Sequence, residues 1–185
     1  MPDVSVPGVG DLAGVGRRAV ARFIDQTLLV PGLWFLLGRA IARSIDGDGT
    51  LNVGAVFVGT LVVTAIHGLY EIVMVKAYGA TIGKMVMKIR IARLSDGANP
   101  DLLTSAKRWL PAIVAIVPIL GAWLSFLIGV LSIVLIFVDA KRQTINDKFA
   151  KTVVVRGPVN NRRTLLFGTL ALALGVIAIS VVFRR

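Results

Sequence analysis

Residues 110–138, LPAIVAIVPILGAWLSFLIGVLSIVLIFV, decide how this chain folds. The stretch has no charged side chain, yet it is longer than the about 20 residues that one helix needs to cross a bilayer. Pro118 and Gly121 interrupt it, and proline removes a helical hydrogen-bond donor while glycine readily adopts turn geometry. We therefore predict a helical hairpin, with a short first arm over residues 110–119 and a membrane-spanning second arm over residues 122–138.

Three further apolar runs are long enough to cross a membrane, namely residues 23–42, 53–75 and 164–183. The predicted fold class is an all-α membrane protein, a helical transmembrane bundle of about five apolar helices that includes the Pro/Gly-broken hairpin. Apolar residues make up 56% of the chain and charged residues only 17%. Such a composition argues against a soluble domain.

The placement of charge gives this layout a direction, because cytoplasmic loops of membrane proteins are rich in Lys and Arg. With the hairpin in place, both basic connectors, residues 76–109 and 139–163, lie on the same face as the N-terminus. A single crossing by residues 110–138 would put one of them on the opposite face. We predict a multi-pass protein of the plasma membrane, with a cytoplasmic N-terminus and an external C-terminus.

The domain boundaries follow from these runs. Residues 1–16 are interpreted as a flexible N-terminal tail, 17–156 as the membrane domain, and 157–185 as a linker with an additional C-terminal transmembrane helix. Inside the domain, residues 88–94 alternate polar and apolar side chains and residues 151–156 are largely β-branched, which is typical of strands. Two interpretations stay open: a small cytoplasmic β-hairpin-like element, or an irregular amphipathic loop at the interface.

Ionisable residues in or beside the apolar runs are the candidate functional residues, because a charge at a membrane helix centre costs about 3 kcal/mol unless it is paired or hydrated. In the predicted layout, Asp25, Glu71 and Asp139 gather at the cytoplasmic edge within reach of basic residues. The other candidates are Arg18 and Arg22, on the stripe of Asp25, and His67, one helical turn before Glu71. We expect the three carboxylates to approach one another. The cluster is either a proton or cation site or a set of ion pairs that hold the helices together.

A second set of basic residues is expected to contact anionic lipid headgroups. The net charge of +11 comes from lysines and arginines that lie beside apolar runs, without the interleaved aromatic residues of a base-stacking surface. We therefore expect lipid and not nucleic acid as the partner. The candidate headgroup contacts are Lys84, Lys88, Arg90, Arg93, Lys107, Arg108, Lys141 and Arg142.

Motifs of enzymes and cofactor-binding proteins are missing from the sequence. It has no cysteine, one histidine and no metal-ligand spacing. No P-loop glycine pattern follows a strand, and no serine has a plausible histidine and carboxylate order around it. We expect no enzymatic activity, no cofactor and no metal site. We also find no internal repeat.

Four motifs, taken in their order along the chain, resemble the RDD family of membrane proteins. They are Arg18-x-x-Ala21-x-x-Ile24-Asp25, Tyr70-Glu71, Thr81-Ile82-Gly83-Lys84, and the loop DAKRQTINDKFAKT over residues 139–152. The resemblance covers about residues 17–156. It implies that the arginine and two aspartates of the family name are Arg18, Asp25 and one later aspartate, Asp139 or Asp147.

The chain departs from the family pattern at two kinds of position. Where relatives often have a His-Asp pair, this chain has Asn146-Asp147, which removes a titratable group from that loop. Where relatives often have glycine, it has Lys88 and Lys151.

The resemblance implies two functional hypotheses, since some RDD members are described as sodium/proton-type antiporters and others as membrane adaptors. The favoured one is a non-enzymatic accessory or adaptor protein, whose basic cytoplasmic face binds anionic lipid or a membrane-protein partner. The alternative is a monovalent cation/proton antiporter, with Na+ and H+ exchanged at Asp25, Glu71 and Asp139. Five short helices without a repeat leave little room for alternating access, so this alternative requires a homo-oligomer.

Overall fold

The computed structural model describes residues 11–43, 45, 49–50, 52–117 and 120–157. The predicted last span, residues 164–183, lies outside the described residues. In chain order the elements are α1 (Val15–Arg43), α2 (Val53–Tyr78), α3 (Ile82–Val86), β1 (Ile89–Arg93), α4 (Leu102–Trp109), a 3₁₀ helix (Leu110–Ile116), α5 (Leu120–Val138), α6 (Ile145–Ala150) and β2 (Thr152–Arg156).

Two helical stretches in the described part of the chain are long and apolar enough to cross a membrane: Val53–Val86, which contains α2, and α5. The mostly helical class is therefore confirmed, but the predicted bundle of five apolar helices is not. Helix α1 has sufficient length, but charged residues flank its uncharged stretch, which runs only from residue 26 to 38. Asp25 and Arg39 lie inside the predicted span of residues 23–42, and α1 is not one of these two stretches.

The chain doubles back at the predicted hairpin, but its first arm is shorter than expected. The arm is the 3₁₀ helix Leu110–Ile116, which at about 2 Å per residue covers less than half of a bilayer core. It packs closely on α5 at Gly121, whose amide donates to the Val117 carbonyl at 2.8 Å. A β-carbon at Gly121 would lie 2.3 Å from the Val114 carbonyl oxygen, so only glycine permits this approach.

The small sheet forms between the two basic connectors. Strands β1 and β2 are antiparallel, with Ile91 opposite Val154 at the centre of the register. The strand interpretation is confirmed. The element is not hairpin-like, because α4, the 3₁₀ helix, α5 and α6 separate the strands in sequence.

The N-terminal segment docks on the free edge of β2. The Ala13 amide donates to the Val154 carbonyl at 2.9 Å, and the Arg156 amide donates to the Asp11 carbonyl at 2.7 Å. Of the predicted flexible tail, residues 11–16 are thus part of the fold, and α1 begins at Val15. The backbone hydrogen-bonding groups at this edge of β2 are therefore paired within the chain itself.

A compact apolar cluster joins the sheet to α1 and α2. Its buried members are Ala13, Ala21, Val75, Ile89, Ile91 and Val154. Residues 79–109 and 139–157, called the connector domain below, therefore pack as one unit against the start of α1 and the end of α2. Both basic connectors lie together on one side of the hairpin, which is the arrangement that its prediction requires.

Candidate functional site

Asp147 in α6 is fully buried, with 0% of its surface exposed. Its Oδ1 accepts hydrogen bonds from Nε and Nη2 of Arg108 at 3.1 and 2.8 Å. Its Oδ2 lies 3.4 Å from Nη1 of Arg18 and accepts the Thr144 amide at 3.1 Å. Two guanidinium groups and a backbone amide thus compensate the loss of hydration that a buried carboxylate suffers.

The position of Asp147 follows from the way α6 begins. Thr144 is the N-cap: its hydroxyl accepts the Asp147 amide at 3.1 Å, while the Asp147 side chain accepts the Thr144 amide. This reciprocal capping box satisfies two donors at the helix start. The Thr-x-x-Asp spacing is visible in the sequence and could have identified both the helix start and the orientation of the carboxylate.

The charges around Asp147 fix its protonation state. Burial by itself raises the pKa of Asp147, but the charges of Arg108 and Arg18 and the Thr144 amide outweigh it and hold the pKa below its ordinary value. Burial likewise lowers the pKa of Arg108, and the carboxylates of Asp147 and Glu71 more than offset it. Both groups are therefore charged at neutral pH.

Arg18 binds three separate parts of the chain besides Asp147. Its Nε donates to the Ala13 carbonyl at 3.2 Å, its Nη1 to the Arg142 carbonyl at 2.5 Å, and its Nη2 to the Val154 carbonyl at 3.1 Å. One side chain of α1 thereby holds the N-terminal segment, the turn before α6 and strand β2 together.

Arg108 extends the contacts toward the membrane helices. Its Nη1 donates to Oε1 of Glu71 in α2 at 3.2 Å, and Oε2 of Glu71 lies 3.9 Å from Nη1 of Arg22 in α1. Arg18, Asp147, Arg108, Glu71 and Arg22 form a continuous series, called the ion-pair network below. The network starts and ends on α1 and passes through α6, α4 and α2.

Two contacts position Arg108 at the end of α4. Asn146 Nδ2 donates to the Arg108 carbonyl at 2.9 Å. The neighbouring Trp109 packs its indole on Gly68 of α2, where a β-carbon would lie 2.5 Å from the ring. The predicted contact of Arg108 with lipid headgroups is wrong, because α2 and α6 enclose the residue and leave it only 6% exposed.

Asp25 is buried in a separate site formed with α2 and α3. Its Oδ1 accepts the Tyr70 hydroxyl at 3.0 Å and the Gly83 amide at 2.8 Å, and its Oδ2 accepts the Thr81 hydroxyl at 2.6 Å. The contact requires glycine at position 83, because a β-carbon there would lie 2.0 Å from the Ala21 carbonyl oxygen. All three donors are neutral, and together they fasten α3 onto α1.

Asp139 closes the turn after α5. Its Oδ1 pairs with Nζ of Lys148 at 2.5 Å, and its Oδ2 accepts the amides of Lys141 and Gln143 at 3.2 and 3.0 Å. The turn thus supplies Asp139 with its own cation and amides. Asp25 and Glu71 likewise have different direct partners.

The remaining predicted residues divide into bonded and exposed ones. Lys84 donates to Thr81, Arg90 to Gly97, and Arg93 to Asp96, while the Arg142 carbonyl accepts from Arg18. The exposed residues of the lipid set are Lys88, Lys107 and Lys141. His67 is half-buried and has no hydrogen bond or ion pair within the part of the chain that the structure describes. No group of three or more His, Asp or Glu side chains in that part could hold a metal ion.

A sequence profile of the RDD family matches residues 12–151. The chain belongs to the RDD family. A search of curated proteins and a search of solved structures each found no match. Family membership and the two apolar helices together identify a membrane protein.

The two aspartates that the family resemblance left open have different partners. Arg18 pairs with Asp147 at 3.4 Å, whereas Asp139 pairs with Lys148. In this RDD protein, Arg18 and Asp25 lie on the same helix and hold different elements: Arg18 holds α6 through Asp147, and Asp25 holds α3.

Proposed function

We propose that this RDD protein is a non-enzymatic accessory or adaptor protein of the cell membrane, with a cytoplasmic connector domain that binds a membrane-protein partner. The saturation of two buried carboxylates, Asp147 and Asp25, is the observation that favours this function. Asp147 has two arginine partners and Asp25 has three neutral donors. An ion-exchange site needs ligand atoms that are free to bind and release an ion, whereas saturated groups fix the geometry of a scaffold.

The proposed orientation places the N-terminus and the connector domain in the cytoplasm and the C-terminus outside. Cysteine labelling tests this directly, because the chain has no natural cysteine. With a membrane-impermeant maleimide on intact cells, Val53→Cys, at the opposite end of α2, should be labelled. Ser95→Cys, in the exposed turn after β1, should be labelled only after permeabilisation. The reverse pattern would refute the orientation.

Photo-crosslinking tests the adaptor function in living cells. A photoreactive amino acid at Lys107 or Lys141, both exposed in the connector domain, should give one discrete adduct with a membrane protein. The matched control is Phe126, an exposed residue of α5 that should react with lipid only. The purified partner should reproduce the adduct in vesicles. Absence of any protein adduct at both positions, with a lone monomer on purification, would refute the adaptor function.

The antiporter alternative rests on Oε2 of Glu71, the carboxylate oxygen that faces Arg22. Its nearest cationic partner is Arg22, which is 53% exposed and 3.9 Å away, beyond hydrogen-bond distance. A hydrated cation could therefore compete with Arg22 for this oxygen. In everted vesicles, antiport predicts that Na+ collapses a pH gradient and that Glu71→Gln abolishes the effect while Asp139→Asn retains it. No collapse across a range of pH and salts would remove this alternative.

A further inference from the structure

The connector domain contains two copies of one helix–strand unit. Residues 79–93 form unit 1 and residues 142–156 form unit 2, at an offset of 63 residues (142 − 79). Each contains Thr-Ile at the start of a short helix, a lysine seven residues after the threonine, and an arginine five residues after the lysine. This repeat was not predicted from the sequence, because only these few positions are identical between the units.

The backbone geometry of the two units matches at the residues that define them. Thr81 has φ −79° and ψ 168°, and Thr144 has φ −77° and ψ 173°. Lys88 and Lys151, between helix and strand, have φ 54° and 52°. Gly79 and Arg142, which open the units, also share positive φ, at 68° and 50°.

A local two-fold axis relates the units. In the β1–β2 register, Ile91 pairs with Val154, which is its own equivalent in unit 2 (91 + 63). The outer pairs exchange accordingly, since Ile89 pairs with Arg156 and Arg93 with Thr152. A side chain exposed on one unit therefore has a symmetry-related counterpart on the other.

Two such exposed pairs are present. Val86 is 50% exposed and its counterpart Phe149 is 62% exposed. Lys88 and Lys151 are exposed as well, and neither ammonium group makes a hydrogen bond or ion pair with any residue that the structure describes. Positive φ disfavours a side chain with a β-carbon, so lysine at these positions has an energetic cost. The described contacts of the two side chains do not offset this cost.

Both units follow a long apolar helix. Unit 1 follows α2 directly, and unit 2 starts four residues after α5. An apolar side chain with a lysine two residues later is suited to the membrane interface, because the apolar group enters the acyl region while the ammonium reaches the headgroups. A lysine near an anionic leaflet is attracted to its headgroups.

We propose that the two units form a paired binding site for anionic phospholipid headgroups. Val86 and Phe149 enter the lipid interface, and Lys88 and Lys151 bind headgroup phosphates at two symmetry-related positions. The proposal rests on the cytoplasmic placement of the connector domain, and it does not depend on whether that domain binds a protein partner.

Glycine substitution tests the lysines without disrupting the fold, because positive φ is the conformation that glycine tolerates. Wild type and Lys88→Gly/Lys151→Gly are reconstituted in mixed phosphatidylcholine and phosphatidylglycerol, and co-extracted lipid is compared with bulk lipid. Wild type should be enriched in phosphatidylglycerol. The double variant should lose most of the enrichment, each single variant about half, as expected for equivalent sites, and the exposed-lysine control Lys107→Gln should retain it. Unchanged enrichment in a folded double variant would overturn the proposal.

Depth measurement tests the apolar pair. An environment-sensitive fluorophore on Val86→Cys or Phe149→Cys should be quenched by brominated lipid, and on Ser95→Cys it should not. Probes that stay in water, or that are shielded without lipid quenching, as under a bound protein, would overturn the proposal. These results are separable from the adaptor function, which is read from protein adducts at Lys107 and Lys141.

Discussion

Replacing Asp147 by Asn removes the central negative charge of the ion-pair network with little change of shape. Arg18 and Arg108 would then stay buried without their shared counter-ion. Removing one partner of a buried ion pair costs about 3–5 kcal/mol. Arg108 keeps Glu71 at 3.2 Å and an amide still accepts hydrogen bonds, so we place Asp147→Asn near the lower limit, at about 3 kcal/mol.

Thermal unfolding in mild detergent measures this change. For a chain of this size, 1 kcal/mol corresponds to about 2–4 °C, so Asp147→Asn should lower Tm by about 6–12 °C. Asp139→Asn is the matched control, because its partner Lys148 is partly exposed, and we expect a loss of at most about 1 kcal/mol. Equal shifts for the two variants would refute the assignment of the ion-pair network as the main polar support of the connector domain.

Three further predictions concern single groups. Because the folded-state pKa of Asp147 is lowered, its stabilisation is present above the unfolded pKa of about 3.9 and is lost as pH falls through the folded value; acid melts should show this loss in wild type and a smaller one in Asp147→Asn. Gly83→Ala should destabilise by about 2 kcal/mol or more, because the added carbon would overlap the Ala21 carbonyl, whereas Gly129→Ala, with open space around it, should be neutral or stabilising in the same melts. Lys151→Gly should raise Tm by a degree or more, since relief of positive φ is worth about 1 kcal/mol; a lower Tm would contradict that assignment.

Local sequence patterns predicted the features that depend on composition along the chain. The apolar runs indicated α2 and α5, and the alternation over residues 88–94 indicated β1, because burial of one face imposes these periods. The break near Gly121 was predictable for another reason: without a β-carbon, this residue lets the 3₁₀ helix pack closely on α5. The predicted span over residues 23–42 lies within α1, where Asp25 and Arg39 interrupt the apolar run.

The long-range partners were not predictable from these patterns. Arg108 and Asp147 are 39 residues apart and meet only because α4 and α6 pack after the hairpin closes. Asp139 was predicted to join the carboxylate cluster because it follows an apolar run. The turn after α5 instead supplies Asp139 with a lysine and backbone amides as partners. Helical spacing describes which residues share a stripe, and it does not say which other helix that stripe will face.

The two helix–strand units differ in charge at one equivalent position near the start of their short helices. Lys84 in unit 1 and Asp147 in unit 2 are equivalent positions (84 + 63) with opposite charge. Asp147 can accept the Thr144 amide and close a capping box, whereas an ammonium has no acceptor and Lys84 instead donates to Thr81.

The charges that attach each unit to a neighbouring helix, α1 for unit 1 and α4 for unit 2, are also opposite. In unit 1 the acid is on the long helix, where Asp25 accepts from the cap residue of α3. In unit 2 the acid is on the short helix, and Arg108 of α4 donates to it. At both units the second helical residue lies against a carbonyl of that neighbouring helix, Gly83 at Ala21 of α1 and Asn146 at Arg108 of α4. One backbone design thus supports two opposite charge arrangements, and Arg18 joins them because it reaches from α1, which holds unit 1, to the carboxylate of unit 2.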